Sequence, residues 1–238
     1  MNVCIDIGNS FIKIANVVDG EVLNAQKFET KKYSKQDLQD ILARFEGDRV
    51  LIASVVPWLT EDFKAASDRE VCLVTSEHPP LPITHKSIGA DVLAYASYVA
   101  ENFPLPATIF SLGTATVCMH ISEKKGITGG LIMPGINSGL YGLMEKTSQL
   151  TNIIEKETGS RELVLTPTKD FMALDTLGAI NNGIFYQTLA TIDFLSNKLG
   201  AKTNVVCGGG SNLVKDDLPD DFIIDEFLVI RGIDMIFS

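Results

Sequence analysis

Apolar positions along the chain first fall into short runs with strand periodicity, separated by turn signals, and later into longer runs with helical spacing. Residues 2–8 read as a buried strand and 11–18 as a second, joined through Gly8-Asn9-Ser10. Asp19-Gly20 marks a hairpin, because both residue types tolerate positive φ, and a third strand follows at 21–29. Ser34-Lys35-Gln36-Asp37 has the form of a capping box ahead of Leu38, Ile41, Leu42 and Phe45 on one helical face. A β-branched run from Arg49 to Val56, stopped by Pro57, predicts a buried strand. A short helix at 59–66 and a strand at 71–75 come next. His78-Pro79-Pro80-Leu81-Pro82 interrupts regular structure and reads as a loop or linker.

The same grammar then repeats. A helix at 91–102 leads to strands at 107–112, 114–122 and 127–133, with Lys124-Lys125-Gly126 as a turn. Helices extend to about residue 155, residues 160–170 look irregular, and a long helix spans 175–199. The strand Thr203–Cys207, the run Gly208-Gly209-Gly210, a short helix and closing strand-like segments complete the chain. Three strands followed by alternating helices and strands, occurring twice, predict two similar α/β halves, 1–103 and 104–238, with a ligand cleft between them. Trp58, Phe103 and the methionines sit at core-like spacings and are assigned no function.

Composition narrows the function classes. The 238 residues are 45% hydrophobic and 21% charged, as in an ordinary globular protein. A net charge of −10 with no basic block excludes the counterion-displacing surface that nucleic acid requires, and disfavours anionic membranes. No apolar run is long enough to span a bilayer, and Asp6 stands where a signal peptide would be apolar. Cys4, Cys72, Cys118 and Cys207 are widely separated and form no Cys-x-x-Cys pair, so they read as reduced, buried thiols in a cytoplasmic protein.

The candidate chemistry lies in the turns. Asp6-Ile7-Gly8-Asn9-Ser10 ends a strand with an acid and a glycine turn, which can place a carboxylate near a metal while loop amides face phosphate oxygens; a hairpin without a ligand is the alternative. Lys13 either adds charge at those phosphates or is a solvated strand residue. Ser111-Leu112-Gly113-Thr114-Ala115-Thr116 is a second such turn with serine in place of the acid. Gly89-Ala90-Asp91 opens a helix, whose dipole favours an ionised carboxylate suited to taking a proton from a hydroxyl; an ordinary first-turn acid is the plainer reading. The glycines of Gly129-Gly130-Leu131-Ile132-Met133-Pro134-Gly135 and of Gly208-Gly209-Gly210 let a backbone pass close to a ligand or to another chain segment.

Taken in order, these turns resemble the type III pantothenate kinases of the acetate kinase–hexokinase–actin superfamily, over nearly the full chain. The resemblance is carried by Asp6–Ser10, Ala53-Ser54-Val55-Val56-Pro57, Gly89–Asp91, Gly113–Thr116, Gly129–Gly135, Asp175-Thr176 and Gly208–Gly210. It implies two duplicated ribonuclease-H-like halves and phosphorylation of pantothenate by ATP to 4′-phosphopantothenate, the first step toward coenzyme A. By the same resemblance Asp6 would hold Mg2+, and Gly8, Asn9, Ser10 and Lys13 would wrap the phosphates. Gly113, Thr114 and Gly209 would face ATP, and Asp91 would be the base. Gly89, Ala90 and Thr176 would contact pantothenate, and the chain would form a homodimer.

The departures from the family pattern remove charge. Val92 stands where the family has an arginine for the pantothenate carboxylate. Ser111 stands where it has an aspartate tied to a monovalent cation (K+), and Val117 replaces a threonine. Ala173-Leu174 precede Asp175-Thr176 in place of a Gly-Lys or Gly-Arg pair. Phosphoryl transfer rests on positioning and electrostatics, so these losses open two other readings. One is a silent homologue that binds a nucleotide or a protein partner, and the other is a kinase for another small alcohol.

Overall fold

The computed structural model describes residues 1–77, 88–124, 126–158 and 165–238. The expected proline-rich loop at 78–82, Lys125 in the expected turn and the first part of the 160–170 segment lie outside them. The strands are β1 (Asn2–Ile7), β2 (Phe11–Val18), β3 (Glu21–Glu29), β4 (Arg49–Ser54), β5 (Glu70–Leu73), β6 (Ala107–Leu112), β7 (Ala115–Ile121), β8 (Ile127–Pro134), β9 (Thr203–Cys207) and β10 (Ile223–Asp225). The α-helices are α1 (Lys35–Leu42), α2 (Pro57–Ala66), α3 (Ala90–Asn102), α4 (Ile136–Lys146), α5 (Ser148–Thr158), α6 (Thr176–Leu199), α7 (Ser211–Val214) and α8 (Leu228–Phe237).

Two five-stranded sheets result, ordered β3-β2-β1-β4-β5 and β10-β9-β6-β7-β8. Numbered within each sheet, and with the second read from its β8 edge, both orders are third, second, first, fourth, fifth. This shared order is the structural form of the repeat read from the turns. By contacts the chain groups differently, into Met1–Ala107 with His120–Gly129 and Asp225–Ser238, and Thr108–Met119 with Gly130–Ile224.

In the first unit, β1 pairs antiparallel with β2 and parallel with β4. Alternation along β1 sends Val3, Ile5 and Ile7 to the face covered by Leu38, Ile41, Leu59 and Phe63 of α1 and α2. Cys4 faces the other side, with Leu93 and Ala94 of α3 and Ile230 and Ile233 of α8. Asp6 is two residues beyond Cys4 and therefore lies on that α3–α8 face, at the carboxyl end of β1. The β2–β3 turn has Asp19 at φ 50° and Gly20 at φ 79°, as its sequence requires. The capping box also forms: the Ser34 hydroxyl accepts from the Asp37 N–H, and the Asp37 carboxylate accepts from the Ser34 N–H at 2.9 Å.

In the second unit, Phe110, Leu112 and Cys118 of the sheet pack with Phe185 and Ile192 of α6 and with Val214 of α7. A smaller cluster joins Leu140 and Met144 of α4, Ile154 of α5 and Ile180 of α6.

Three expectations are corrected. The closing segment is not all strand: after the three residues of β10 it becomes α8. Its β-branched residues mimic a strand, but Ile230, Ile233 and Phe237 recur at helical spacing and meet the first core. Gly232 lets α8 approach α3 so closely that a Cβ there would strike the Ala94 carbonyl. Second, Pro57 not only stops β4 but starts α2, its fixed φ suiting the first helical position. Third, Trp58 is not a core residue. It is 45% exposed in the first turn of α2, where Leu59 and Phe63 take the buried positions, and Met1 and Met172 are also exposed. Cys4, Cys118 and Cys207 are buried, and Cys72 is partly so.

Candidate active site

In the first unit, three segments meet around the end of β1. The Val55 N–H donates to the Ile7 carbonyl at 3.0 Å, which ties the Ala53–Pro57 segment to β1. Gly89, the N-cap of α3, lies against the same segment, since a Cβ on it would meet Val55 Cγ1 at 3.5 Å. The same Cβ would strike the Asp91 carboxylate, so glycine at 89 is what leaves room for it. Ala90 and Asp91 form the first turn of α3, where the Asp91 carboxylate accepts from its own N–H and from that of Val92.

The charge of Asp91 bears on Asp6. Burial, the charge of Asp91 and, in the opposite sense, the charge of Lys13 set the Asp6 carboxyl, which is pushed up to about 7. Burial also raises Asp91, opposed by its two backbone hydrogen bonds. A carboxyl that burial and a neighbouring acid keep from ionising suits a bound cation, which would relieve it. Mg2+ is commonly held by one or two carboxylates together with substrate phosphates, and this donor set fits it.

The loop after β1 is held by a residue that sequence reasoning missed. Thr30 takes the Ser10 carbonyl on its N–H at 3.0 Å and the Gly8 carbonyl on its hydroxyl at 2.7 Å. A trans peptide points its N–H opposite to its C=O, so the amides of Asn9 and Phe11 turn away from Thr30. Asn9 and Ser10 are exposed. The only signal for Thr30 was a hydroxyl directly after a strand. Lys13 sits directly across from Asp6 in the β1–β2 register. It is not a solvated strand residue. Its ammonium donates to the Glu226 carbonyl at 3.0 Å, pairs with the Glu226 carboxylate at 3.4 Å and lies 5.7 Å from the Phe227 ring centroid.

In the second unit, the end of β6 collects three glycine segments. The Gly113 N–H bonds forward to the Ala115 carbonyl at 3.1 Å, much as the Gly8 N–H bonds to Phe11 at 3.0 Å. The Thr114 carbonyl accepts from the Gly135 N–H at 3.2 Å and from the Ser138 hydroxyl at 2.6 Å. Gly208, at φ 86°, lies on Leu112, and the Gly210 N–H donates to the Leu112 carbonyl at 2.8 Å. Gly135, Gly208 and Gly210 thus serve close chain packing, which leaves Gly113, Thr114 and Gly209 exposed. Ser111 is half-buried in β6. Its hydroxyl supplies one neutral oxygen and no charge, and no step is drawn through K+. Thr176 opens α6 behind Asp175, whose carboxylate is used as the N-cap, accepting from the Gly178 N–H at 2.7 Å.

A surface hollow of about 750 Å3 in the first unit is lined by Asn2, Gly20, Arg231 and Asp234. It lies at the amino end of β1, about 13 Å along the strand from Asp6. None of the candidate residues line it.

With this geometry in place, comparison decides the family: the type III pantothenate kinase profile matches residues 2–198. The chain belongs to the type III pantothenate kinase family. It is 28% identical over 244 residues to a type III pantothenate kinase of Methylacidiphilum infernorum, covering 98% of this chain and 87% of that protein. It is 25% identical over 245 residues to that of Mycoplasma mobile, covering 97% and 96%. Among solved structures, a Campylobacter jejuni protein assigned to the Baf family of transcriptional activators superposes with a TM-score of 0.63 at 20% identity, over 99% of this chain and 96% of that one. Component A of (R)-2-hydroxyglutaryl-CoA dehydratase from Acidaminococcus fermentans gives 0.54 at 13% identity, over 100% and 96%. Both likenesses are of fold alone, and the fold is the duplicated ribonuclease-H-like one. Pantothenate kinase family membership carries a kinase role, with ATP and a small-molecule substrate. Among the described residues no helix is long and apolar enough to cross a membrane.

Proposed function

We propose that this family member transfers the γ-phosphoryl group of ATP to the hydroxyl of pantothenate, giving 4′-phosphopantothenate. The observation that carries the reading is the placement of Asp91 in the first turn of α3, acting on the half-buried Asp6 at the end of β1. Burial raises the basicity of Asp91, so it is a better acceptor for the proton of a substrate hydroxyl than an ordinary aspartate. Asp6 would hold Mg2+, which when bound neutralises charge on the phosphates. The loop Gly8–Ser10, braced by Thr30, presents backbone amides to phosphate oxygens, and Lys13 adds a cation on the Asp6 face. In the second unit Gly113, Thr114 and Gly209 are the proposed nucleotide contacts, with Thr176 proposed for pantothenate. The repeat is proposed to divide at 1–103 and 104–238, and a homodimer is the proposed assembly.

The test is ADP release with pantothenate, ATP, Mg2+ and K+, run beside Asp91→Asn. Pantothenate-dependent turnover that the substitution abolishes supports the reading. Turnover that survives Asp91→Asn removes Asp91 as the base, and no turnover in either protein defeats the assignment. Val92 favours a second reading, because an apolar side chain follows Asp91 where a carboxylate-bearing substrate would gain from a cation. On that reading a panel of uncharged small alcohols yields faster ADP release than pantothenate does.

A further inference from the structure

Two adjacent asparagines, Asn181 and Asn182, are buried in the second turn of α6, at 5% and 3% exposure. Asparagine is a mediocre helix former, and burying its amide is costly unless every polar atom is satisfied. A leucine or alanine would be the simpler choice for core packing alone. Here both amides are satisfied, largely by one segment outside the helix, residues 166–171. Asn182 Oδ1 accepts from the Thr168 N–H at 2.8 Å. Its Nδ2 donates to Thr168 Oγ1 at 2.7 Å, to the Asp170 carbonyl at 2.7 Å and to the Phe171 carbonyl at 3.1 Å. Asn181 Oδ1 accepts from the Thr166 N–H at 3.0 Å, and its Nδ2 donates back to the Leu177 carbonyl at 3.0 Å. The asparagines thus offer acceptors to the N–H groups of Thr166 and Thr168, and donors to the Thr168 hydroxyl and the Asp170 and Phe171 carbonyls.

The same segment is fixed at its far end. A Cβ on Gly178 would stand 2.9 Å from Ala173 Cβ and 3.2 Å from Thr168 Cγ2, so the chain lies directly on the first turn of α6. The Phe171 ring packs on Tyr186 with centroids 4.6 Å apart, and Asp175 caps the helix. What the clamp fixes is the approach of the chain to Asp175 and Thr176, with Phe171, Met172 and Leu174 exposed on the way.

We propose that Asn182, supported by Asn181, is a positioning residue for the substrate: the two amides hold residues 166–171 on α6 and thereby set the placement of Thr176. This rests on the proposed role of Thr176 in binding pantothenate. The decisive variant is Asn182→Asp, which keeps the shape and the acceptor for Thr168 but replaces the donors with a carboxylate facing two carbonyls. Two readouts are needed: hydrogen exchange of the backbone amides at 166–171, and the KM for pantothenate beside that for ATP. The expected result is exchange at Thr168 faster by about tenfold or more and a pantothenate KM raised about tenfold, with the ATP KM within about twofold. Asn197→Ala, on the same helix with its amide bonded back to Asp193, moves neither readout.

If Asn182→Asp does not fold, Thr168→Val removes the hydroxyl that accepts from Asn182 while leaving the helix intact, and the same pattern in weaker form is expected. Faster exchange with an unchanged pantothenate KM overturns the inference alone. So does a parallel rise in both KM values, which marks general loosening. If the unsubstituted protein neither turns over nor binds pantothenate, the functional reading falls, and the substrate half of this inference falls with it.

Discussion

Replacing Asp6 by asparagine should make the ligand-free protein more stable at pH 8. A carboxyl pushed from the usual 3.8 to about 7 by burial and by Asp91 is one that the folded protein prefers to keep protonated. The unfolded chain holds that proton only below about pH 4, whereas the native state holds it up to about pH 7. Between those limits unfolding releases a proton, so raising the pH favours the unfolded chain and stability falls across that window before levelling off. The full displacement corresponds to a ceiling of about 4 kcal/mol, of which about 2.7 kcal/mol lies between pH 5 and pH 8. Asp6 is only half-buried, so solvent screening brings the expected figure to about 1–2.5 kcal/mol. The assay is urea unfolding of the wild type and of Asp6→Asn at pH 5 and pH 8, without nucleotide or divalent ion. The stability of the variant relative to wild type should rise by that amount from the lower pH to the higher. An equal difference at both pH values, or a variant that loses ground at pH 8, would refute the reasoning. The proposed function supplies the motive for so costly an arrangement: Mg2+ and phosphates would supply what the apo site lacks, and Asp6→Asn should lose nucleotide-dependent stabilisation as it gains intrinsic stability.

Three further substitutions read other parts of the same construction. Gly89→Ala places a methyl against the Asp91 carboxylate, so kcat should fall about 10- to 100-fold in steady-state assays while the circular dichroism spectrum is unchanged; full activity would show that Asp91 has room to spare. Glu226→Gln removes the ion pair on Lys13 but keeps the backbone carbonyl contact. Stability should drop by no more than about 1 kcal/mol, and the ATP KM should fall about two- to fivefold as a negative charge leaves the phosphate side; a raised ATP KM would count against Lys13 meeting the phosphates. Gly208→Ala combines positive φ with a Cβ 2.7 Å from the Leu112 carbonyl and should cost more than about 2 kcal/mol, whereas Gly20→Ala, at a similar φ in open space, should cost about 1 kcal/mol. Urea unfolding of the pair tests this, and equal losses would mean that the contact with Leu112 is not a constraint.

Most of the strands and helices were legible because local signals agreed with tertiary demand. The Asp19-Gly20 turn needs positive φ and has it, and Ser34 with Asp37 closes the box that their spacing announces. The closing helix was misread because Val229, Ile230, Ile233 and Ile236 favour strands by side-chain shape, and only packing on α3 reveals which period matters. The acids were found by sequence, since a carboxylate at a strand end or in a helix's first turn is visible locally. Their partners were not. Thr30 lies 20 residues after Ser10, and Glu226 lies 213 residues after Lys13, separations across which a single sequence carries no pairing signal.

The repeat also explains where electrostatic work can be done in this chain. Both β1–Gly8–β2 and β6–Gly113–β7 use a glycine that bonds forward to the next strand, so both keep the backbone form of the turn. They differ in what precedes it: Asp6 in the first, whose carboxyl is coupled to Asp91 and Lys13, and Ser111 in the second, which brings no charge. Backbone amides in either loop can still meet phosphate oxygens, because that contact needs geometry and no acidic side chain. Binding of a cation or movement of a proton needs the carboxylates, and in the candidate loops these are concentrated in the first unit. Restoring an acid with Ser111→Asp should therefore change K+ dependence far more than Mg2+–ATP affinity, as measured by turnover with and without K+ and by calorimetry. If Mg2+–ATP affinity instead rises as much as the K+ response, the second turn takes part in holding the metal, and the division of labour argued from Asp6 and Ser111 is wrong.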